Sequence, residues 1–296
     1  MLFEEMHATS VALVNQAQLT LTAFSESTAV VIDLGHESID ITPVVKGMPT
    51  PGASRHLPIG GLDMAGKLAE LLAAKGVELT EREATCVFEQ TACVAAQPAL
   101  AGGRPAASVT EDATATLPDG RRITVSAADR QACVEPIFCT RSWAGDGSGA
   151  GLAIAVHEAV ISCAEAYDKD DKKDGGVAEN RDLREQLFRS VLIVGGCAMI
   201  PGLRERLLEE LGTMGTFGVD LVLKEPAYYM PGCEPGGLSS QEAARKCTAL
   251  QYAAFLGGGV MAVDRRLYEA TAFSRAAYDE VGPYICHKLT EGGGRD

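Results

Sequence analysis

The sequence has no Cys-x-x-Cys pair, no apolar run near the ~18 residues of a membrane span, and no basic leader at its amino end, Met1-Leu-Phe-Glu-Glu-Met6. Neither export nor membrane insertion is therefore expected. The nine cysteines are scattered at positions 86, 93, 133, 139, 163, 197, 233, 247 and 286, and the five histidines group neither with them nor with one another. An odd, dispersed set in a chain this long points to reduced, buried thiols of a cytosolic or nuclear protein, against a disulfide framework or a zinc site. Basic residues are also short, with 26 Lys and Arg against 40 Asp and Glu and a net charge of -14. That balance disfavours direct binding to a nucleic-acid backbone, which rewards clustered cations. Charged partners should be basic.

What the chain does have is enough apolar material for a sizeable core: 296 residues, 46% hydrophobic and 22% charged, read as one two-part domain or two domains. Its organising stretch is Ser190-Val-Leu-Ile-Val-Gly-Gly-Cys-Ala-Met-Ile-Pro-Gly-Leu203. The apolar run Val191 to Val194 reads as a strand buried on both faces, Gly195 and Gly196 as a turn, and Leu203, Leu207, Leu208 and Leu211 as one face of a helix. A glycine turn between a parallel strand and a helix amino terminus suits a nucleotide's phosphate or sugar. A tight connection that binds nothing is the alternative. Upstream, the strands Thr28 to Leu34 and Ser38 to Val44 meet at Gly35 in a hairpin, with Asp33 at the end of a buried strand. A carboxylate there is costly unless it meets a cation, a water cluster or a donor.

The order of Asp33-Leu-Gly35, Gly195-Gly-Cys-Ala-Met-Ile-Pro-Gly202, Tyr252-Ala-Ala-Phe-Leu-Gly-Gly258 and Tyr278-Asp-Glu-Val-Gly-Pro283 resembles actin and the actin-related proteins over nearly the whole chain. The resemblance implies an α/β, actin-like fold of the actin, Hsp70 and sugar-kinase ATPase superfamily, incomplete at its amino terminus. It divides the chain into a helical remnant of the first large subdomain (1–27), a second large subdomain (28–60 and 150–250), a small outer subdomain (61–149) and a carboxyl-terminal return (251–296). It also implies ATP or ADP with Mg as cofactor. Asp33, Gly35, Gly195, Gly196, Cys197, Met199 and Ile200 fall at nucleotide-binding positions, with Asp33 reaching the metal through water. Gln16 falls at the distance before the Asp33 turn where the family orients the attacking water; a surface glutamine is the alternative.

Leu2 to Leu21 carries apolar residues at roughly helical spacing. A helix is expected from Asp63 to Lys75, with Met64, Leu68, Leu71 and Leu72 buried and Gly76 ending it. Thr80-Glu-Arg-Glu83 is a capping box opening a helix over 81–95. By resemblance that helix offers a lysine and a glutamate to the adenosine, at positions held here by Glu89 and Gln90. Thr114 to Ser126 reads as a hairpin turning at Pro118-Asp-Gly120, and Ala153 to Tyr167 as a helix with Ile154, His157, Val160 and Ile161 to one side. His157 reads as a packed helical histidine rather than a catalyst. Asp168 to Asn180 reads as a mobile charged loop, either solvated filler or a docking element.

Two departures limit what the resemblance carries. The family's amino-terminal phosphate hairpin has no counterpart in this sequence, and the Asp-x-Gly-x-Gly pattern of the remaining one reads Asp33-Leu-Gly-His-Glu37. Gln251 stands where actin places a lysine against the adenine. Losing two or three phosphate contacts costs roughly 3–9 kcal/mol, about two to six orders of magnitude in affinity. The expectation is a non-catalytic structural subunit of a nuclear or cytoskeletal assembly, with weak or absent ATP binding and with actin or other actin-related proteins among its partners. An actin-like ATP switch lacking its first hairpin is the alternative. A sugar-kinase or chaperone role has no visible substrate element, and filament formation is not expected.

Overall fold

The computed structural model describes residues 2–94, 111–138, 151–171, 177–214, 222, 224 and 249–285, with backbone alone for 168–171 and 177–181. In chain order the elements are β1 (Ser10–Ala12), α1 (Gln16–Phe24), β2 (Ala29–Leu34), β3 (Ile39–Val45), β4 (Met48–Pro49), β5 (Arg55–Leu57), α2 (Gly61–Ala73) and α3 (Glu81–Thr91). They continue with β6 (Ala113–Thr116), β7 (Arg122–Val125), α4 (Ala127–Ala132), α5 (Leu152–Asp171), α6 (Val177–Phe188), β8 (Val191–Val194) and α7 (Leu203–Thr213). The last are α8 (Ala253–Val263), α9 (Arg265–Thr271), β9 (Ala272–Ser274) and α10 (Arg275–Val281). Together they make a mixed α/β fold.

The sheet that carries the site runs β4-β3-β2-β8, with β5 also paired to β3. β2 and β3 form the expected antiparallel hairpin, and β8 lies parallel to β2 with Asp33 opposite Val194. Because successive side chains of a strand face opposite ways, Val30, Ile32 and Leu34 enter one core with Ile39, Ile41, Val191 and Ile193. α2, α3, α5 and α7 cover that face through Met64, Leu68, Val87, Phe88, Val156, Val160, Leu203 and Leu207. Val31, Val44, Leu192 and Val194 face the other way, onto Leu21 and Phe24 of α1 and Ala253 and Leu256 of α8. β8 is thus buried on both faces, as its apolar run predicts.

Several local expectations hold. Thr80 caps α3 and Glu83 reaches back to the Thr80 amide at 2.8 Å; β6 and β7 pair antiparallel across a turn in which Gly120 has φ +86°. The His157 ring stacks on Phe188 with centroids 6.0 Å apart, a packed helical histidine.

Others are corrected. The stretch 2–21 is not one helix. Asn15 accepts from the Ala17 amide at 2.8 Å and Gln18 closes the capping box, so α1 starts at Gln16. Ahead of it Val11 pairs with Phe273 in a two-stranded β1–β9 sheet. The stretch 168–180 is not one loop either: α5 runs on through Asp171 and α6 begins at Val177, anchored by the buried Leu187 and Phe188. On α5 the buried stripe is Leu152, Val156, Ala159, Val160 and Cys163, whereas Ile154 is exposed. α3 ends at Thr91 rather than near 95. Residues 95–110, 139–150 and 225–248 lie outside the described residues. Val191 does exchange backbone hydrogen bonds with Val222 (3.1 Å) and Lys224 (3.2 Å).

Candidate functional site

The parallel pairing of β2 and β8 brings the two glycine turns together. β2 delivers Asp33 to the sheet end, and β8 stops beside it at Val194. Gly195 then passes so close that a Cβ on it would lie 2.4 Å from Asp33 Oδ1 and 2.6 Å from the Leu34 carbonyl oxygen, with φ at +94°. Both the approach and the dihedral require glycine. Gln16, the first residue of α1, donates from Nε2 to Asp33 Oδ2. Burial pushes the Asp33 carboxyl above its ordinary range, and the charge of Asp40, directly opposite in β3, pushes the same way. His56 of β5 in turn sits against Asp40, Nδ1 to Oδ1 at 2.8 Å.

Gly35 turns the hairpin tightly, its N–H donating to the Ser38 carbonyl at 3.0 Å. The outward carbonyls of the tip serve the start of α2. The Gly35 oxygen accepts from Gly61 N–H at 3.1 Å and from the Cys197 thiol at 3.3 Å; the His36 oxygen accepts from Leu62 N–H at 2.7 Å. A Cβ on Gly60 would stand 2.4 Å from the His36 oxygen, so the Gly60-Gly61 pair is what lets helix and hairpin touch. Cys197 is buried, and burial first, then the charges of Asp33 and Glu89, push its thiol up to about 12. It packs and donates but supplies no thiolate.

Two adjoining recesses divide the expected site residues. A cleft of about 570 Å³ between α3 and the 3₁₀ turn Gly196–Met199 is lined by Gly196, Cys197, Met199 and Ile200. A smaller one of about 190 Å³ is lined by Gln16, Asp33 and Gly195. Gln251 and Tyr252 border both, and Gly35 borders neither. From α3 and the residue that caps it come Thr85, Phe88, Glu89 and Ala92, residues that sequence reading did not single out apart from Glu89. Their spacing of three and four is one helical face, which is the signal that would have found them. Gln90 points elsewhere: its amide binds the Thr116 backbone N and O, each at 3.1 Å, and fastens α3 to β6.

The sequence model of the family described as Actin matches residues 1–99 and 84–291. The chain belongs to the actin family. Actin-like protein 7A of Homo sapiens is 26% identical over 216 residues, 72% of this chain and 45% of its own length. Actin-related protein 7 of Oryza sativa subsp. japonica is 26% identical over 291 residues, 97% of this chain and 70% of its own. The chain therefore spans about half the length of the actin-like relative it matches, and at these identities it is a divergent actin-related protein.

For an actin-family member the natural occupant is ATP with Mg, and the residues present fit it only in part. The apolar walls of the larger cleft suit a base and sugar. The phosphate end does not fit: Gly35 and Gly195 N–H groups are spent on Ser38 and Leu250 carbonyls, the latter at 3.2 Å. No Lys or Arg lines either recess among the described residues, while Asp33 and Glu89 do. Among the described residues no three His, Cys, Asp or Glu side chains are grouped so as to hold a metal ion.

Proposed function

We propose that this divergent actin-related protein acts as a non-catalytic structural subunit of a larger nuclear or cytoskeletal assembly, with weak or absent ATP binding. The observation that carries the reading is the acidic, donor-poor phosphate end of the site. An anion placed there meets a carboxylate held above its ordinary range by burial and by a second carboxylate, and finds two of the glycine N–H donors already used. Placing further negative charge in a half-buried acidic site is unfavourable. Binding to protein partners then becomes the use of the actin shape, and a net charge of -14 favours partners with a basic face. The second reading, an ATP switch, draws support from the Gln16–Asp33 contact, which sets the family's water-orienting position beside its metal-side aspartate.

Calorimetric titration of the purified full-length protein with Mg-ATP separates the two. Saturation only at millimolar ATP, with the Asp33→Ala variant indistinguishable, is the expected result. Saturation below a micromolar concentration, abolished by Asp33→Ala, would overturn it. For the assembly itself, sedimentation of the native protein should give a species well above the 31.1 kDa of one chain, unchanged by Asp33→Ala. A native monomer would sink the subunit role.

A further inference from the structure

The smaller recess, too acidic to welcome a phosphate, suits charge of the other sign. At its base Gly195 packs against Asp33 Oδ1, and Oδ2 accepts from Gln16 Nε2. Each carboxylate oxygen has two acceptor sites, so Asp33 keeps capacity toward the recess. Burial, then the charge of Asp40, push its carboxyl above the ordinary range, which a neighbouring cation would reverse. Among the described residues no Lys or Arg lines the recess to supply one. The walls beside the carboxylate are apolar, with Val194, Leu250 and Ala253. Tyr252 and Phe255 also line it, three residues apart and so on one side of α8, and Phe255 is 71% exposed at the mouth.

The walls decide which cation. One carboxylate and one amide fall short of the oxygen ligands a hard metal ion takes, and apolar sides offer such an ion nothing. A charged head on an alkyl stem matches better: the stem runs along Val194, Leu250 and Ala253, the head meets Asp33, and the two ring faces attract its charge. Between ammonium and guanidinium the acceptors choose. The Asp33 carboxylate and the Oε1 of the Gln16 amide bound to it are neighbouring acceptors, which a planar fork of N–H donors can span and a point charge cannot. A volume of about 190 Å³ is below the ~300–1,000 Å³ of drug-sized sites and admits one group of side-chain size. From this base, these walls and this size we infer that the recess is a site for a small free molecule carrying a guanidinium on a short alkyl stem. The inference rests on the acidic, donor-poor end that carries the weak-ATP reading and goes beyond it: the end that repels phosphate holds an organic cation. The ligand is a free molecule rather than a partner's arginine, since the assembly expected above is indifferent to Asp33.

The test is calorimetric titration of the full-length protein with propylguanidine as the probe, against propylamine and N-acetylarginine amide, repeated on Asp33→Asn and Phe255→Ala. Asp33→Asn keeps an acceptor for Gln16 and Phe255 is exposed, so both variants should fold. The expected result is saturable propylguanidine binding that Asp33→Asn weakens about tenfold or more and Phe255→Ala about two- to fivefold, with the other two probes weaker than propylguanidine. No binding at millimolar propylguanidine, or binding that Asp33→Asn leaves unchanged, would overturn the site. Propylamine binding as tightly would remove the guanidinium assignment, and N-acetylarginine amide binding more tightly would replace the free molecule with a chain-borne arginine. Mg-ATP titrated in parallel keeps the two readings apart. Submicromolar ATP saturation sinks both, whereas absent propylguanidine binding with ATP still weak sinks this inference alone.

Discussion

Asp33 and Asp40 face each other across the β2–β3 hairpin, and like charges directly opposite in an antiparallel pair destabilise it. His56, in the next strand, meets Asp40 and leaves Asp33 with the Gln16 amide as its donor. With its carboxyl held above the ordinary 3.8 by burial and by Asp40, Asp33 binds its proton more tightly folded than unfolded. The linkage sign follows: the stability this group contributes is complete below the unfolded value and is lost as pH rises through the folded one. Asp33→Asn keeps an acceptor for Gln16 and removes the charge. The variant should therefore be more resistant to urea than the wild type at pH 7, and the gap should shrink as the buffer is acidified toward the usual carboxylate range. A gap that is absent at pH 7, or that widens in acid, would contradict the buried-carboxylate account.

At the scale of elements, the contact between α1 and α8 depends on a single missing side chain. A Cβ on Gly257 would lie 1.7 Å from the Leu19 carbonyl oxygen, so the helices are in backbone contact there. Gly257→Ala must push them apart, opening the packing of Leu21 and Phe24 against Ala253 and Leu256. A loss of about 1–3 kcal/mol is expected from chemical unfolding, whereas Gly259→Ala, with open space at its Cβ, should be neutral or slightly stabilising. Equal effects of the two would show that the glycines serve something other than this approach. The β2–β3 hairpin was legible in two strands meeting at Gly35, and the start of α3 in Thr80-Glu-Arg-Glu83. Strand β1 was not legible, because its partner β9 lies some 260 residues away, and three residues carry no period. The cleft face of α3 was missed for a different reason. Thr85, Phe88 and Ala92 read as ordinary amphipathic helix, and only the tertiary placement of the Gly196–Met199 turn shows what they enclose.

For the molecule as a whole, the β4-β3-β2-β8 sheet is a partition with a core on each side, and the β1–β9 pair stands apart on a small cluster of Phe3, Phe273 and Ile285. Phe3 stacks on Tyr278 with centroids 4.8 Å apart, its carbonyl accepts from Arg275 Nη1 at 2.6 Å, and Ser10 Oγ meets the Tyr268 hydroxyl at 2.7 Å. These ties are mostly half-exposed, and a two-stranded sheet without a broad apolar face is marginal in water. The two regions should accordingly open in separate cooperative units. In native-state hydrogen exchange, amides of β2 and β8 should exchange only through global unfolding and accelerate steeply with sub-denaturing urea. Those of residues 10–12 and 272–274 should exchange orders of magnitude faster, with little urea dependence, since their opening exposes little surface. Gly257→Ala narrows the contrast from one side: it should accelerate the first group by the full loss in stability and leave the second almost unchanged. Matching rates and urea slopes in the two sets would mean that the β1–β9 pair is locked to the central sheet, and that the molecule unfolds as one unit.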